Sequence, residues 1–277
     1  MLEKLKKLQY GARIRLYSAD QLQVIDVAGR RTQLLRGGKG APLVYLHSVI
    51  GETNWLPFHQ ALSREFDVIA PAHPGFALSA GGEGIEEIED VVLHYVDLFR
   101  SLGLERFHLV GASLGGWIAA EFALRYPERL HSLVLADAAG LQLEETPAAE
   151  IPTMSATGLR GLMLHDPASF VGELLFPETE LPDQIRAVAT GAFETTWSRA
   201  LYGPRLSSRL HRITIPALVL WGANDAVYPV RYAEAFRDGI AGSKLHLIEN
   251  CGHLPMFEQE ARFVSAVTRF LKTEFGF

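Results

Sequence analysis

Apolar runs bounded by Gly, Pro or Asp recur along the chain at Leu43–Leu46, Val68–Ala70, Leu109–Val110, Leu133–Ala136, Ala217–Trp221 and Leu245–Ile248. They are near-continuous rather than alternating, the pattern of strands in a parallel sheet covered on both faces. The segments between them follow a helical period. Ile88, Val91, Val92, Tyr95, Leu98, Phe99 and Leu102 fall on one stripe. A second helix is expected from Leu114 to Arg125, stopped at Tyr126-Pro127. A third should run from Ala261 to Leu271 and bury Phe263, Val264, Val267, Phe270 and Leu271. This alternation predicts an α/β fold with a doubly wound, mostly parallel sheet flanked by helices. Gln23–Leu35 alternates more and predicts an antiparallel hairpin at a sheet edge, turning at Gly29-Arg30.

One interval interrupts the rhythm. Leu141–Arg212 offers no buried strand, several prolines and short amphipathic pieces such as Leu159–Leu164 and Ile185–Phe193. A structureless loop of that length is improbable inside a compact domain, so a helical insertion acting as a lid is expected. The domain plan is therefore a core of residues 1–140 and 213–277, with 141–212 inserted as the lid.

Composition narrows the class. The chain has 277 residues, is 48% hydrophobic and carries a formal charge of −6. Phosphate contacts need clustered Lys and Arg, so a nucleic-acid partner is not expected. No apolar run approaches a membrane span and the first residues lack a signal-peptide pattern, so a soluble cytoplasmic protein, monomer or homodimer, is the expectation. The single cysteine, Cys251, allows no internal disulfide and fits a reducing compartment.

The strongest chemical signal is Gly111-Ala112-Ser113-Leu114-Gly115, between a strand and a helix. In such an elbow the central residue is forced into a strained conformation that exposes its side chain at the helix N-terminus. A serine hydroxyl needs a base, and His253 follows the last strand in Asn250-Cys251-Gly252-His253-Leu254. Asp225, directly after Ala217–Trp221, is the expected carboxylate, with Asp137 just past Leu133–Ala136 as its rival. Post-strand loops of a parallel sheet share one rim, so Ser113, Asp225 and His253 can meet.

That order of serine, aspartate and histidine resembles the α/β-hydrolase family. Leu46-His47, Ala70-Pro71 through Pro74-Gly75-Phe76, Gly115-Gly116-Trp117, Tyr126-Pro127-Glu128-Arg129-Leu130, Ile215-Pro216 through Trp221-Gly222, and Gly252-His253 with Glu258 extend the resemblance over nearly all of the chain. It implies that 141–212 is the helical cap after the sixth strand. It also implies an oxyanion hole of the Leu114 and Val49 N–H groups. Here the chain departs from the family, with His47-Ser48 where His-Gly is usual, so Ser48 is expected to need tolerable torsions and to offer a hydroxyl to substrate.

The resemblance implies a serine hydrolase of small, mostly apolar carboxylic esters, thioesters or lactones, working without a cofactor or metal. Two alternatives stand beside it. One is the carbon–carbon hydrolase of meta-cleavage products, which usually has Asn and Met around the nucleophile and Trp after the histidine; Ala112, Leu114 and Leu254 stand there in this chain. The other is a weakly catalytic ligand-binding receptor.

Ser48, Trp117 and Leu254 are the expected substrate contacts, and Trp55, Phe76, Trp117, Trp197 and Phe257 suit either a pocket wall or the core. His47 is expected behind the oxyanion loop, with His59, His73, His94 and His165 at the surface or in packing. Cys251 reads as an ordinary buried thiol, Gly37–Gly40 as a turn, and Arg160, Arg186, Arg199 and Arg205 as solvated.

Overall fold

Eight strands form one sheet in the order β1-β2-β4-β3-β5-β6-β7-β8. They are β1 (Leu22–Val27), β2 (Arg30–Gly37), β3 (Ala41–Leu46), β4 (Phe66–Pro71), β5 (Phe107–Ala112), β6 (Leu130–Ala136), β7 (Ala217–Gly222) and β8 (Lys244–Ile248). The computed structural model describes residues 21–149, 155–178, 203 and 205–275. From β4 to β8 the neighbours are parallel, whereas β1 and β2 pair antiparallel at one edge. The hairpin turns on Ala28 (φ +51°) and Gly29 (φ +84°), so Arg30 already pairs with Val27. The turn lies one residue earlier than the sequence suggests, because two left-handed residues match the twist of the flanking strands.

Every residue of β5 and β7 is buried, as continuous apolar strands require. The edge strand β8 departs from that reading: Leu247 is 36% exposed, since a strand paired on one side only is not fully covered.

Helices α1 (Pro57–Leu62), α2 (Ile88–Ser101), α3 (Leu114–Arg125), α4 (Ala156–Met163), α5 (Phe170–Leu175), α6 (Val230–Gly239), α7 (Pro255–Glu258) and α8 (Glu260–Phe275) connect and cover the strands. Helix α3 packs on α2 and on the 3-10 turn Ser207–Arg212, which α6 also contacts; α1 packs on α8. The stripe from Ile88 to Phe99 is buried, as are Phe263, Val267, Phe270 and Leu271 of α8.

Between β6 and β7 the described residues contribute α4, α5 and the 207–212 turn rather than a strand. Ser155 and Ser169 cap α4 and α5 by accepting from the Gly158 and Gly172 N–H groups at 3.1 and 3.2 Å. Arg160 is not solvated as expected. It donates from Nε to the Phe176 carbonyl at 2.8 Å, and its side chain is only 12% exposed. The return to the core is fixed by Glu121 of α3, fully buried and paired with Arg125 and with Arg209 of the 207–212 turn. Ile185–Phe193, Arg186, Trp197 and Arg199 lie outside the described residues. Among the described residues no helix is long and apolar enough to cross a membrane.

Candidate active site

Parallel pairing of β3, β5, β6, β7 and β8 places Val49, Ser113, Asp137, Asp225 and His253, which follow those strands, on one rim of the sheet. Ser113 has φ +49° and ψ −112°, a region costly for a residue with a side chain. The surroundings enforce it. A Cβ on Gly111 would lie 2.2 Å from the Gly115 carbonyl oxygen, and one on Gly115 would lie 2.1 Å from that of Leu46. Only glycine permits so close a passage, and the strand-to-helix reversal at Ser113 is the result.

The Ser113 hydroxyl lies 3.0 Å from His253 Nε2, and His253 Nδ1 lies 2.8 Å from Asp225 Oδ2. The other Asp225 oxygen accepts from the Val227 and Tyr228 N–H groups at 2.8 and 3.0 Å, so the carboxylate is aimed before the imidazole arrives. With Nδ1–H donating to Asp225, the Nε2 lone pair faces the serine hydroxyl. The loops holding the acid and the histidine touch at Gly222, where a Cβ would lie 1.9 Å from the Gly252 carbonyl oxygen. All three side chains are buried.

The Leu114 N–H opens α3 and has no acceptor within the helix, and among the described residues the Val49 N–H has none either. Both residues are buried, and Leu114 directly follows the serine. Ser48 needs no left-handed torsion; that conformation falls on Gly51 instead, at φ +74°. Its hydroxyl, expected toward substrate, turns inward and donates to Glu52 Oε2 at 2.8 Å. The Ser48 N–H donates to the same oxygen at 2.9 Å, and the Tyr45 hydroxyl to Oε1 at 3.2 Å. Burial pushes the Glu52 carboxyl up, and the Ser48 bonds pull it back.

Two histidines hold the other side of this loop. The His73 N–H donates to His47 Nε2 at 2.9 Å, leaving His47 Nδ1–H to donate to the Ser48 carbonyl at 2.7 Å. His73 Nε2–H donates to the His47 carbonyl at 2.8 Å, and its Nδ1 receives the Tyr95 hydroxyl. Burial keeps both rings neutral, lowering His47 to about 4 and His73 well below its ordinary value. His47 thus lies behind the Ser48–Glu52 loop, and Phe76 packs against both rings.

The histidine loop is joined to the inserted segment. His253 N–H donates to the Met163 carbonyl at 2.8 Å. Glu258 accepts from Gly252 N–H at 2.6 Å through one oxygen and from the N–H groups of His165 and Asp166 at 2.8 and 3.3 Å through the other.

Asp137, the rival acid, makes no bond to His253; its Oδ1 accepts from Gly222 N–H at 2.8 Å. Trp117 is buried against Gly140 and Gly203, and Leu254 is buried at the start of α7. Trp55 and Phe76 are core residues, whereas Phe257 is half-buried against Phe58. His59, His73 and His94 are buried and His165 is exposed. The Cys251 thiol is buried and pushed strongly up by burial, which suits a packing residue rather than a nucleophile. Glu52 and His73 carry no local signature, so sequence reasoning gave neither a role.

A profile of the alpha/beta hydrolase family matches residues 43–266. The chain is 31% identical to a 2-hydroxymuconate semialdehyde hydrolase of a Pseudomonas species, covering 89% of this chain and 92% of the relative. It is 29% identical to the 2-hydroxy-6-oxo-2,4-heptadienoate hydrolase of Pseudomonas putida, covering 91% and 96%. Among solved structures it is similar to a meta-cleavage product hydrolase from Pseudomonas fluorescens, at 25% identity and a TM-score of 0.77 over 93% of this chain and 99% of that one. It is similar also to a bacterial membrane phospholipase A, at 27% identity and a TM-score of 0.73 over 99% and 91%. With the family profile covering β4 to β8, the elbow and the histidine loop, the chain belongs to the alpha/beta hydrolase family and is a hydrolase.

Proposed function

We propose that the protein is a serine hydrolase that cleaves small, mostly apolar carboxylic esters through an acyl-enzyme. The observation that carries this reading is the unbroken relay Ser113–His253–Asp225, starting from a serine at φ +49°. Ser113 Oγ attacks the ester carbonyl while His253 Nε2 takes its proton. The carbonyl oxygen becomes an oxyanion facing the Leu114 and Val49 N–H groups, donors worth a few kcal/mol each at such a position (about 3–4 by mutagenesis). His253 then protonates the departing alkoxide, and a water deprotonated by the same nitrogen releases the acid from Ser113. Asp225 holds the ring and stabilises the imidazolium.

Residues 141–212 form the lid over this rim, and the core is 1–140 with 213–277. The bond from His253 N–H to Met163 and the Glu258 bracket to His165 and Asp166 support that reading, since they join the inserted segment to the base. No cofactor enters any step.

A second reading, carbon–carbon hydrolysis of a vinylogous diketo acid, is favoured by the two Pseudomonas relatives. Apolar Ala112, Leu114 and Leu254, all buried around the nucleophile and base, favour the ester. Assay of p-nitrophenyl esters of graded chain length beside a 2-hydroxy-6-oxo-dienoate tests both. Ester turnover that disappears in a folded Ser113→Ala variant is the expected result. Turnover of the dienoate alone overturns the ester reading in favour of the second, and turnover of neither overturns both.

A further inference from the structure

Asp137 stands beside the relay without joining it, and its surroundings are chemically unbalanced. It is fully buried, follows β6 directly, and has φ +45°. Its N–H donates to the Leu220 carbonyl at 3.0 Å, which fixes the backbone against β7. Oδ1 accepts from Gly222 N–H. Among the described residues, Oδ2 is buried and receives no N–H or O–H donor. The polar group it meets is the Asp225 carboxylate: an oxygen of each aspartate and a ring nitrogen of His253 all lie within 4.8 Å of one another.

Burial and the nearness of a second carboxylate disfavour charge on both groups, so one of the pair can keep its proton and offer it to the other. Asp225 is the one held as an acceptor. It receives two backbone N–H groups and the imidazole N–H, whereas Asp137 receives one N–H.

We propose that Asp137 is a neutral carboxylic acid that donates a hydrogen bond from Oδ2 to the Asp225 carboxylate and so positions Asp225 against His253. This rests on the Ser113–His253–Asp225 reading. Asp137 is a positioning residue: the Ser113 hydroxyl bonds His253, the Asp137 side chain bonds Gly222 N–H, and Asp137 acts through Asp225. Two backbone N–H groups hold one oxygen of Asp225, and the Asp137 hydrogen bond steadies the carboxylate whose other oxygen faces His253 Nδ1.

Burial, reinforced by the charges of Asp225 and Glu258, pushes the Asp137 carboxyl well up, and the Gly222 N–H opposes this. The titratable groups facing it are Asp225, His253, Cys251 and Glu258. Because the folded value lies above the unfolded one, the stabilising contribution is complete at acid pH and is lost as pH rises through the folded value.

Two variants separate the donor from a charge. Asp137→Asn keeps an oxygen for Gly222 N–H, supplies an N–H to Asp225 and suits a left-handed backbone. Asp137→Ala removes both bonds. The decisive measurement is the infrared spectrum of protein labelled with [4-13C]aspartate at neutral pH, which needs no substrate. A protonated-carboxyl band in the wild type that disappears in Asp137→Asn is expected; identical spectra, or only carboxylate bands, overturn the proposal whether or not the protein hydrolyses esters.

The kinetic arm uses the ester that the wild type turns over. Asp137→Ala should lower kcat about tenfold or more with KM within about twofold of the wild type, and Asp137→Asn should restore kcat. An Asn variant as damaged as Ala, or a loss in Ala carried by KM rather than by kcat, overturns the positioning role.

Discussion

Replacing Glu52 by alanine tests how the Ser48–Glu52 loop, which precedes α1 and carries the proposed oxyanion donor Val49, is held. The carboxylate accepts the Ser48 N–H, the Ser48 hydroxyl and the Tyr45 hydroxyl, and all three residues are buried. In Glu52→Ala the Ser48 hydroxyl can rotate to a new acceptor, but the Ser48 N–H and the Tyr45 hydroxyl cannot leave the interior. Each stranded donor costs about 1–3 kcal/mol. Removing a buried carboxylate gives back part of its desolvation cost, so the net loss should be about 2–4 kcal/mol. For a chain of this size that lowers Tm by about 5–10 °C. The kinetic effect is the sharper one. Ser48 precedes Val49, and a displaced Val49 N–H should cost on the order of 100-fold in kcat, with KM little changed. Glu52→Gln keeps an oxygen for both Ser48 bonds and turns its amide to the Tyr45 oxygen, so it should recover most of both losses. The assay is kcat and KM for an activated ester on variants checked by thermal unfolding. A Glu52→Ala enzyme that melts earlier but turns over within about twofold of the wild type would refute the reasoning. It would mean that His47 and His73 hold the loop alone.

Two other perturbations address the bracket between the loops and the buried imidazoles. Glu258→Ala frees the N–H groups of Gly252, His165 and Asp166, which water can reach in part, so Tm should fall by only a few degrees, about 2–4 °C per kcal/mol. Turnover should drop about tenfold as His253 loosens, and limited proteolysis near 163–166 should quicken; unchanged kcat with unchanged cleavage contradicts the bracket. Burial lowers His47 to about 4, His59 to about 3, and His94 and His108 to about 4. Their folded values lie below the unfolded 6.5, so their neutral forms stabilise the protein above that pH and the benefit is lost as pH falls toward 4. For His47 alone the loss is on the order of 3 kcal/mol. Urea midpoints should therefore fall steeply from pH 6.5 to 4, and a flat profile would contradict neutral burial.

The hydrophobic pattern by itself determined where the six parallel strands and the three longest helices lie. A parallel strand buried on both faces must be apolar throughout, and a helix covering it must be apolar along one stripe; β5, β7 and α2 are written that way. Ser113 was legible because close backbone passage demands Gly111 and Gly115, a constraint local in sequence. Asp225 and His253 were legible because loops after parallel strands share a rim. Tertiary structure alone decided what each polar group faces. Nothing local distinguishes the direction of the Ser48 hydroxyl, which Glu52 and the packing of Tyr45 set. Arg160 read as solvated because its acceptor, the Phe176 carbonyl, is fixed only once α4 and α5 pack. The choice between Asp137 and Asp225 also depended on neighbours. Both follow buried strands, but the N–H groups of Val227 and Tyr228 turn one toward His253, while Gly222 N–H holds the other beside it. Burial and hydrogen-bond direction are properties of contacts between distant segments, and a sequence states them only after it has folded.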